Sequence, residues 1–234
     1  MKSLNDEMDT FKKIIKGIAA QFGSNCEVVL HDMTIPIENS IVAIENGHIT
    51  GRTIGGCGTS QGLDILSGVK RPGDTYNYIT QLPNGNLLRS SSIYIKDPKG
   101  KNIGAICINY DITNLVYTNK LLGEFTFNSV INENAINETS TLDLASDSNE
   151  VIASDINELL DVLLQNSVRI VNVPVSRMSK DEKIKGLAYL DKKGAFLIKK
   201  AGDKIAKFYD ISRFLLYSYL DEIRDKDNIE NNGE

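Results

Sequence analysis

A long stretch without lysine or arginine divides this sequence into two parts. Residues 124–158 hold eight Asp and Glu residues, and Asn, Ser and Thr supply most of the remainder. Such a composition, most evident over 132–150, buries too little apolar surface to fold by itself and indicates a solvated linker. We therefore predict two folded domains, at 1–122 and 154–224. An acidic linker over 123–153 joins them, and an acidic tail follows at 225–234.

The net charge of -5 is unevenly distributed along the chain. Residues 1–175 carry 13 Lys and Arg against 20 Asp and Glu, whereas residues 176–224 carry 12 against 7. A compact basic module on an acidic chain favours a polyanionic partner for that module. A solvated, lysine-rich surface is the alternative that charge alone leaves open.

Composition indicates the cellular compartment in which the chain is expected to be found. No stretch approaches the roughly 18 apolar residues of a membrane span, and the polar start does not resemble a signal peptide. The three cysteines are far apart and form no Cys-x-x-Cys pair, so we expect cytosolic thiols in a cytoplasmic protein that does not bind membranes. Cys26 and Cys107 lie in apolar strands, whereas Cys57 lies in a glycine-rich loop that we expect to be exposed, and whether it has a redox role is left open.

The first domain combines one long helix with short strands. Apolar residues spaced three and four apart predict an amphipathic helix over 5–22, closed by Gly23. Asn46-Gly47 and Asn84-Gly85 are typical of hairpin turns, and Asp97–Gly100 predicts a reversal between two long strands. The pattern predicts an antiparallel sheet with helices on one face. The predicted strands are 26–30, 41–44, 90–95 and 103–110, and a short helix is predicted over 59–66.

The second domain is predicted to be entirely helical. Asp155 begins an amphipathic helix that Pro174 ends, and the Ser179–Glu182 capping box begins a second helix that runs to about Lys193. A short helix around Ile205, a turn at 210–212 and a last helix over 213–224 then follow. That succession is typical of a helix-turn-helix. The fold class is thus α+β, an antiparallel sheet domain followed by an all-α domain.

Two groups of segments resemble the YheO-like transcriptional regulators, which pair a PAS-like domain with a helix-turn-helix. The resemblance implies that the first domain senses a small molecule and that the second binds operator DNA as an oligomer. The chain departs from the family at Asp210, where glycine is common, and at Phe214–Leu216, which is more apolar than usual. The segments that carry the resemblance are Val29–Asp32, Ser40–His48, Gly51-Arg52 and Ile106–Asp111, then Ser179–Lys183, Leu190–Leu197 and Ala206–Leu220.

The expected DNA contacts lie around the last helix. Ser212 would cap that helix and face a phosphate, and Arg213 has the side chain that best reads a guanine edge. Lysines before the turn would neutralise phosphates. The alternatives are a purely structural cap for the serine and a solvated surface for the others. The predicted DNA-binding residues are Ser212, Arg213, Tyr217, Ser218, Lys204 and Lys207.

The expected ligand contacts come from strand ends and loops of the first domain. One cation among neutral donors suits a small carboxylate-bearing metabolite, such as an amino acid, with Arg52 pairing the carboxylate. Structural hydrogen bonds within the sheet are the alternative role. We predict no metal and no cofactor, since no cysteine is spaced to complete a site with the two histidines. The predicted ligand-binding residues are His31, Asp32, His48, Arg52, Asn109 and Asp111.

The leading hypothesis is thus a transcriptional regulator that binds duplex operator DNA and a small effector. An enzyme is not expected, because the sequence lacks a phosphate-binding glycine loop, a His-x-x-x-His pair and a nucleophile elbow. A PAS signalling protein whose C-terminal helices bind another protein is the alternative function. We also expect a homodimer, or a higher homo-oligomer, joined through the stripe on 5–22 or that on 156–168. The sequence specifies neither the ligand nor the operator, nor whether the protein activates or represses.

Overall fold

A computed structural model describes residues 1–69, 73–125 and 150–231, with side chains described as far as residue 225. The described residues form two compact units. The sheet unit comprises residues 1–57 and the described part of 72–154, and the helical unit comprises the described residues of 58–71 and 155–234. Most of the predicted linker, residues 126–149, lies outside the described residues.

The sheet unit is built on five antiparallel strands in the order β2-β1-β5-β4-β3. The predicted antiparallel sheet and the α+β class are therefore confirmed. Sequence analysis did not identify β3, in which exposed polar residues dilute the apolar pattern. The strands are β1 Cys26–Asp32, β2 Ile41–Glu45, β3 Thr75–Gln81, β4 Leu87–Lys96 and β5 Asn102–Asp111.

Two of the three predicted turns join neighbouring strands. Gly85, at φ +91°, lies in the turn between β3 and β4, and the Asp97 carboxylate accepts the Lys99 and Lys101 amides between β4 and β5. The Asn46-Gly47 hairpin prediction is wrong, because β2 is an edge strand and its successor β3 lies at the opposite edge. Asn46 instead ends β2 at φ +55°.

Helix α1, Met8–Phe22, packs on one face of the sheet. Ile15 and Ala19 are buried there against strand residues such as Val28 and Leu30. Gly23 ends the helix at φ +79°, a backbone conformation that glycine adopts without a steric cost. The apolar stripe predicted for this helix is therefore used within its own unit.

The helical unit also takes in α2, Ser60–Leu66, which sequence analysis placed in the first domain. Its Asp64 pairs with Lys193 at 2.8 Å, and the hydroxyl of nearby Ser67 donates to the Lys192 carbonyl. The remaining helix of the sheet unit is α3, Thr113–Phe125. The other helices of the helical unit are α4 Ile156–Val171, α5 Lys180–Lys192, α6 Ala201–Phe208 and α7 Arg213–Asn231.

Local signals set the ends of these helices. The Asp155 carboxylate accepts backbone amides at the start of α4, and Ser179 forms a reciprocal capping box with Glu182 at the start of α5. Helix α4 ends at Asn172, which is left-handed at φ +58°, rather than at Pro174 as predicted. Asparagine tolerates that conformation, so the helix stops before proline is reached.

The core of the helical unit is made of leucines with one polar pair. Leu163, Leu187 and Leu216 are buried on α4, α5 and α7. The hydroxyls of Ser167 and Tyr209 lie 2.7 Å apart within this core and hydrogen-bond each other. Across the part of the chain that the structure describes, no helix is long and apolar enough to cross a membrane.

Candidate functional site

The sheet face opposite α1 is polar although it is buried. Cα pairing places Glu27, Asn109, Ser90 and Tyr78 directly opposite one another across β1, β5, β4 and β3. Residues paired in this way point to the same side of an antiparallel sheet. Glu27, Asn109 and Ser90 are at most 2% exposed. We refer to this surface as the polar face.

Apolar residues from two other segments cover one end of the polar face. Ile152, from the segment after residue 149, is buried against Leu82 and Leu88, and Ile49 packs against the same cluster. Arg52 belongs to the loop that follows Ile49 and is itself buried. Apolar residues of the sheet unit thus pack over this end of the polar face.

A buried ion pair organises this face. The Arg52 guanidinium contacts Glu27 at 2.6 Å, with both side chains almost completely buried. The Asn109 amide also donates to the Glu27 carboxylate, at 2.8 Å, and the Thr50 hydroxyl donates to its second oxygen. Arg52 was predicted to pair the carboxylate of a ligand, whereas the structure gives it a carboxylate from within the protein. Such a pair is stable in a protein interior only when additional hydrogen bonds support it, as they do here.

Three polar atoms of the same region have no hydrogen-bond partner among the described residues. They are Arg52 Nη1, Thr80 Oγ1 and Ser90 Oγ, all buried. Thr80 lies two residues beyond Tyr78 on β3 and therefore points to the same side of the sheet. Since an unsatisfied buried polar group costs about 1–3 kcal/mol, three of them represent a substantial cost to the fold. A bound molecule with matching donors and acceptors would remove that cost.

Three of the six predicted ligand residues belong to this region. Arg52 and Asn109 form the network described above. His31 lies on the polar face farther along β1, and its Nδ1 is 3.0 Å from Ser40 Oγ. Burial, with a smaller contribution from the Arg52 charge, lowers the pKa of His31 to about 3. The imidazole is therefore neutral near pH 7 and is available for hydrogen bonding rather than for charge pairing.

The other three residues do not join this hydrogen-bond network, although His48 lines an open cavity together with Arg52. The Asp111 carboxylate, at the end of β5, accepts the Thr113 amide and so begins α3. Asp32 alternates to the α1 side of the sheet and accepts the Thr34 amide and hydroxyl. His48 is exposed. Among the described residues, no three His, Cys, Asp or Glu side chains are arranged to hold a metal ion.

Several residues of the polar face were missed because β3 was missed. The Tyr78 hydroxyl lies 2.8 Å from Ser92 Oγ, and Ser92 Oγ lies 3.5 Å from Cys107 Sγ. Burial raises the pKa of Cys107 to about 11 and also raises that of Tyr94, so both groups remain protonated. The β-propensity of the Thr75–Gln81 segment, rich in Thr, Tyr and Ile, was the available signal. Cys57, expected to be exposed, is buried.

The second candidate site is the helix-turn-helix formed by α6, a turn and α7. Asp210 adopts φ +49° in the turn, and the Ile211 amide donates to the Ala206 carbonyl at 3.0 Å. Ser212 caps α7 by accepting the Leu215 amide at 3.1 Å. Leu216 is buried. Aspartate thus takes the conformation for which glycine is commonly used.

The outward surface of α7 carries four of the predicted DNA contacts. Ser212, Arg213, Tyr217 and Ser218 are exposed near the start of the helix. Phe214 lies among them and is 84% exposed. The Arg213 guanidinium forms an exposed ion pair with Asp203 of α6 at 3.0 Å. We call Ser212, Arg213, Tyr217 and Ser218, without Phe214, the α7 face.

The two predicted lysines of α6 differ in their surroundings. Lys204 pairs with Asp161 at 2.8 Å and donates to the Asn157 carbonyl at 3.1 Å, so its ammonium group is directed to α4. Lys207 is exposed. The structure therefore gives the first lysine a partner within the unit and leaves the second on the surface.

Comparison with known proteins identifies both parts of the chain. Residues 2–127 match the YheO-like PAS domain, and residues 159–221 match a helix-turn-helix domain. An uncharacterised Haemophilus influenzae protein is 30% identical over 93% of this chain and 91% of its own length. The uncharacterised protein YheO of Escherichia coli K12 is 28% identical over 95% and 87%. A Pseudomonas aeruginosa protein named transcriptional regulator DauR is 22% identical over 95% and 97%.

Proposed function

This chain belongs to the family of proteins with a YheO-like PAS domain, and on that basis we propose that it is a transcriptional regulator that binds operator DNA and senses a small polar metabolite. The order of the two matched domains and the likeness to a relative named as a transcriptional regulator support the regulatory role. A regulatory architecture also argues against an enzyme. DNA binding and ligand sensing rest on different surfaces and are tested separately.

We assign DNA binding to the α7 face. An exposed arginine near the start of a recognition helix suits bidentate contact with a guanine, and a capping serine suits a phosphate. Lys207 would add a phosphate contact from α6, and Lys204 would do so only if it left Asp161. Arg213 must likewise exchange its exposed ion pair with Asp203 for the base, which costs little at a solvated site.

The test is binding to duplex DNA from the gene's own upstream region, compared with random duplex at two salt concentrations. Arg213→Ala should weaken specific binding by about 1–3 kcal/mol and random binding much less. Arg169→Ala is the control, because Arg169 is exposed on α4 and its loss removes the same charge from the same unit. Equal losses in the two variants would exclude base recognition by Arg213. Failure of the wild-type protein to bind duplex at low salt would exclude the DNA-binding role.

We assign ligand sensing to the polar face, and the observation that carries this assignment is the set of unsatisfied atoms of Arg52, Thr80 and Ser90. One guanidinium nitrogen offers a donor, and two hydroxyls each donate or accept. Because Glu27 already occupies another nitrogen of Arg52, a ligand carboxylate would bind Nη1 and a hydroxyl rather than both terminal nitrogens. A small amino acid or carboxylate satisfies that pattern.

The test is a screen of small polar metabolites for an increase in melting temperature, followed by the same measurement on Ser90→Ala. Ser90 is the better target than Arg52, since removing Arg52 would leave the Glu27 charge buried without its partner. The stabilising metabolite should lose its effect on Ser90→Ala, whereas Ser60→Ala, at a buried serine of α2, should retain it. An unchanged effect on Ser90→Ala would remove this residue from the site.

One observation favours the alternative in which the C-terminal helices bind a protein. Phe214 projects beside the α7 face with 84% exposure, and aromatic side chains are typical anchors of protein interfaces. Phe214→Ser should leave operator binding intact if the DNA-binding proposal is right. Loss of binding to a partner protein, together with no effect on DNA, would support the alternative.

We also propose that the protein acts as a homodimer, since helix-turn-helix proteins commonly read two half-sites as dimers. Both stripes that were predicted to form the interface pack in part within their own units. Ile15 and Ala19 of α1 are buried against the sheet, and Leu159 and Leu163 of α4 are buried in the helical unit. Phe22, at the end of the α1 stripe, is 57% exposed, so that end of the stripe is open to a second subunit.

A further inference from the structure

The segment immediately before α4 crosses one end of the polar face. Residues 150–154 belong to the sheet unit, and the next residue is Asp155, which caps α4 at the start of this part of the helical unit. The chain therefore passes from one unit to the other directly after this segment. We call residues 150–154 the strap.

Apolar side chains attach the strap to the sheet. Ile152 is 4% exposed and packs against Leu82 and Leu88. Ala153 is buried as well. Sequence analysis assigned both strap residues to the solvated linker, because the polar residues around them hide a short apolar pair. Burial of these two side chains favours the position of the strap on the sheet.

The two ends of the strap also lie against the sheet unit. The Tyr78 hydroxyl of β3 forms a hydrogen bond with the Glu150 carboxylate. At the other end, a Cβ atom built on Gly51 would lie 3.8 Å from the Ser154 Cβ. Gly51 directly precedes Arg52, so the strap ends beside the loop that supplies the buried guanidinium.

Two unsatisfied hydroxyls of the polar face lie next to the contact points of the strap. Along β3, Thr80 lies between Tyr78 and Leu82, both of which the strap contacts. On β4, Ser90 is paired with Tyr78 and lies two residues from Leu88. Neither the Thr80 nor the Ser90 hydroxyl has a partner within the described part of the chain, and both are buried.

This arrangement makes the position of the strap depend on a ligand. Without a ligand, the docked strap keeps two hydroxyls buried without partners, whereas its release lets water satisfy them. A ligand that bonds the same hydroxyls removes that cost from the docked state. It therefore shifts the equilibrium toward the docked strap.

We propose that the strap couples the polar face to the helical unit, because a ligand on this face holds the strap on the sheet and so fixes the chain just before α4. This inference rests on the proposed function and names the element through which the ligand regulates DNA binding. Release of the strap lengthens the connection to the helical unit. Since the helical units of a dimer must reach two half-sites together, the length of that connection changes operator affinity.

Hydrogen exchange of the strap amides in the ligand-free, full-length protein tests the docking argument. Thr80→Val keeps the size of the side chain and removes its unsatisfied hydroxyl, so exchange of the strap amides should slow at least about fivefold. Thr10→Val is the matched control, since Thr10 is exposed on α1, on the opposite face of the sheet, and it should leave strap exchange unchanged. Strap exchange that Thr80→Val does not slow would overturn the proposal.

Ile152→Ala tests the link to DNA binding. It removes most of the apolar contact of the strap, so strap exchange should quicken at least about tenfold while exchange in β5 stays unchanged. The operator Kd should change at least about fivefold. Ile103→Ala is the control, because Ile103 is 3% exposed and packs on the α1 side of the sheet. It should destabilise the sheet unit as a whole and leave the operator Kd of the folded protein unchanged.

The results separate the strap from the function on which it depends. An operator Kd that Ile152→Ala leaves unchanged, although strap exchange quickens, would overturn the proposal and leave DNA binding intact. Equal changes in Ile152→Ala and Ile103→Ala would assign the effect to lost stability and would also overturn it. Wild-type protein that binds no duplex at low salt would exclude the DNA-binding function, and this regulation with it.

Discussion

The two units of this protein treat buried polar atoms in opposite ways. In the helical unit, Ser167 and Tyr209 lie among leucines and satisfy one another at 2.7 Å. In the sheet unit, Arg52, Thr80 and Ser90 each have a buried polar atom with no partner within the described part of the chain. A domain that only maintains its shape gains nothing from such atoms, since each of them lowers its stability. We infer that stability has been given up in the sheet unit where a ligand is to be bound.

The largest expected effect comes from breaking the ion pair that organises the polar face. Glu27→Gln leaves Arg52 buried without a countercharge, so the sheet unit should lose about 3–5 kcal/mol of unfolding free energy. The measurement is urea denaturation. Glu222→Gln is the control, because Glu222 pairs with Lys180 on the surface of the helical unit, and it should leave the transition unchanged. Similar losses of unfolding free energy in both variants would contradict the claim that the buried pair stabilises the fold more than a surface pair does.

The next effect depends on pH. The pKa of His31 is about 3 in the folded protein, below its ordinary value near 6.5, so only the unfolded chain binds the proton between those values. The free energy of unfolding should therefore fall as the pH is lowered from 6.5. Protonation of His31 in the unfolded chain can lower it by at most about 1.4 kcal/mol per pH unit.

The corresponding measurement is the unfolding free energy between pH 7 and pH 5. His31→Gln should have a flatter profile than wild type. His48→Gln, altered at an exposed loop position, should keep the wild-type profile. A wild-type slope in His31→Gln would show that the acid sensitivity arises at another residue.

A third comparison tests how tightly the helical unit is packed. A Cβ atom added at Gly186 would meet the buried Tyr209 ring, whereas one added at Gly202 would meet only the end of the exposed Tyr217 side chain, 2.7 Å away. Gly186→Ala should destabilise the unit by about 1–3 kcal/mol through overpacking. Gly202→Ala should be neutral or stabilising, because alanine favours helix. Thermal denaturation that ranks the two variants in the reverse order would contradict this packing.

The smallest expected effect bears most directly on the contrast between the units. Ser167→Ala removes a hydroxyl that has a partner and leaves Tyr209 unsatisfied, so it should cost about 1 kcal/mol or more. Ser90→Ala removes a hydroxyl that has none, so ligand-free protein should be unaffected or slightly stabilised. A clear loss of stability in ligand-free Ser90→Ala would show that its hydroxyl has a structural role.

The fold could be predicted largely because its signals are local. The Ser179 capping box, the glycine turns and the 3.6-residue periodicity of α1 and α4 each depend on a few neighbouring residues. The features that could not be predicted depend on which strands and helices contact one another in the folded chain. Asn46-Gly47 has the composition of a hairpin turn, yet the strand after it pairs at the far edge of the sheet. Similarly, α2 lies in the first half of the sequence and packs in the helical unit.

The two candidate sites differ in the same respect, since one depends on local signals and the other on tertiary contacts. The outward positions of α7 follow from helix periodicity, so Arg213, Tyr217 and Ser218 could be placed from sequence. The polar face required the cross-strand register, which places Glu27 beside Asn109 although 82 residues separate them. Ser90 had the pattern of an ordinary strand residue, and Thr80 belonged to no predicted strand, until β3 was paired with β4. No periodicity identifies a buried hydroxyl as unsatisfied.

Coupling between the two units is the most direct test of the central claim, that the polar face is a ligand site that regulates DNA binding. The measurement is operator affinity with and without the metabolite that raises the melting temperature, for wild type and Ser90→Ala. We predict a change of at least about fivefold in the operator Kd of wild type, and none in the variant, because a regulatory ligand must bind two states with different affinity. An operator Kd that the metabolite leaves unchanged in wild type, or changes equally in both proteins, would contradict the account.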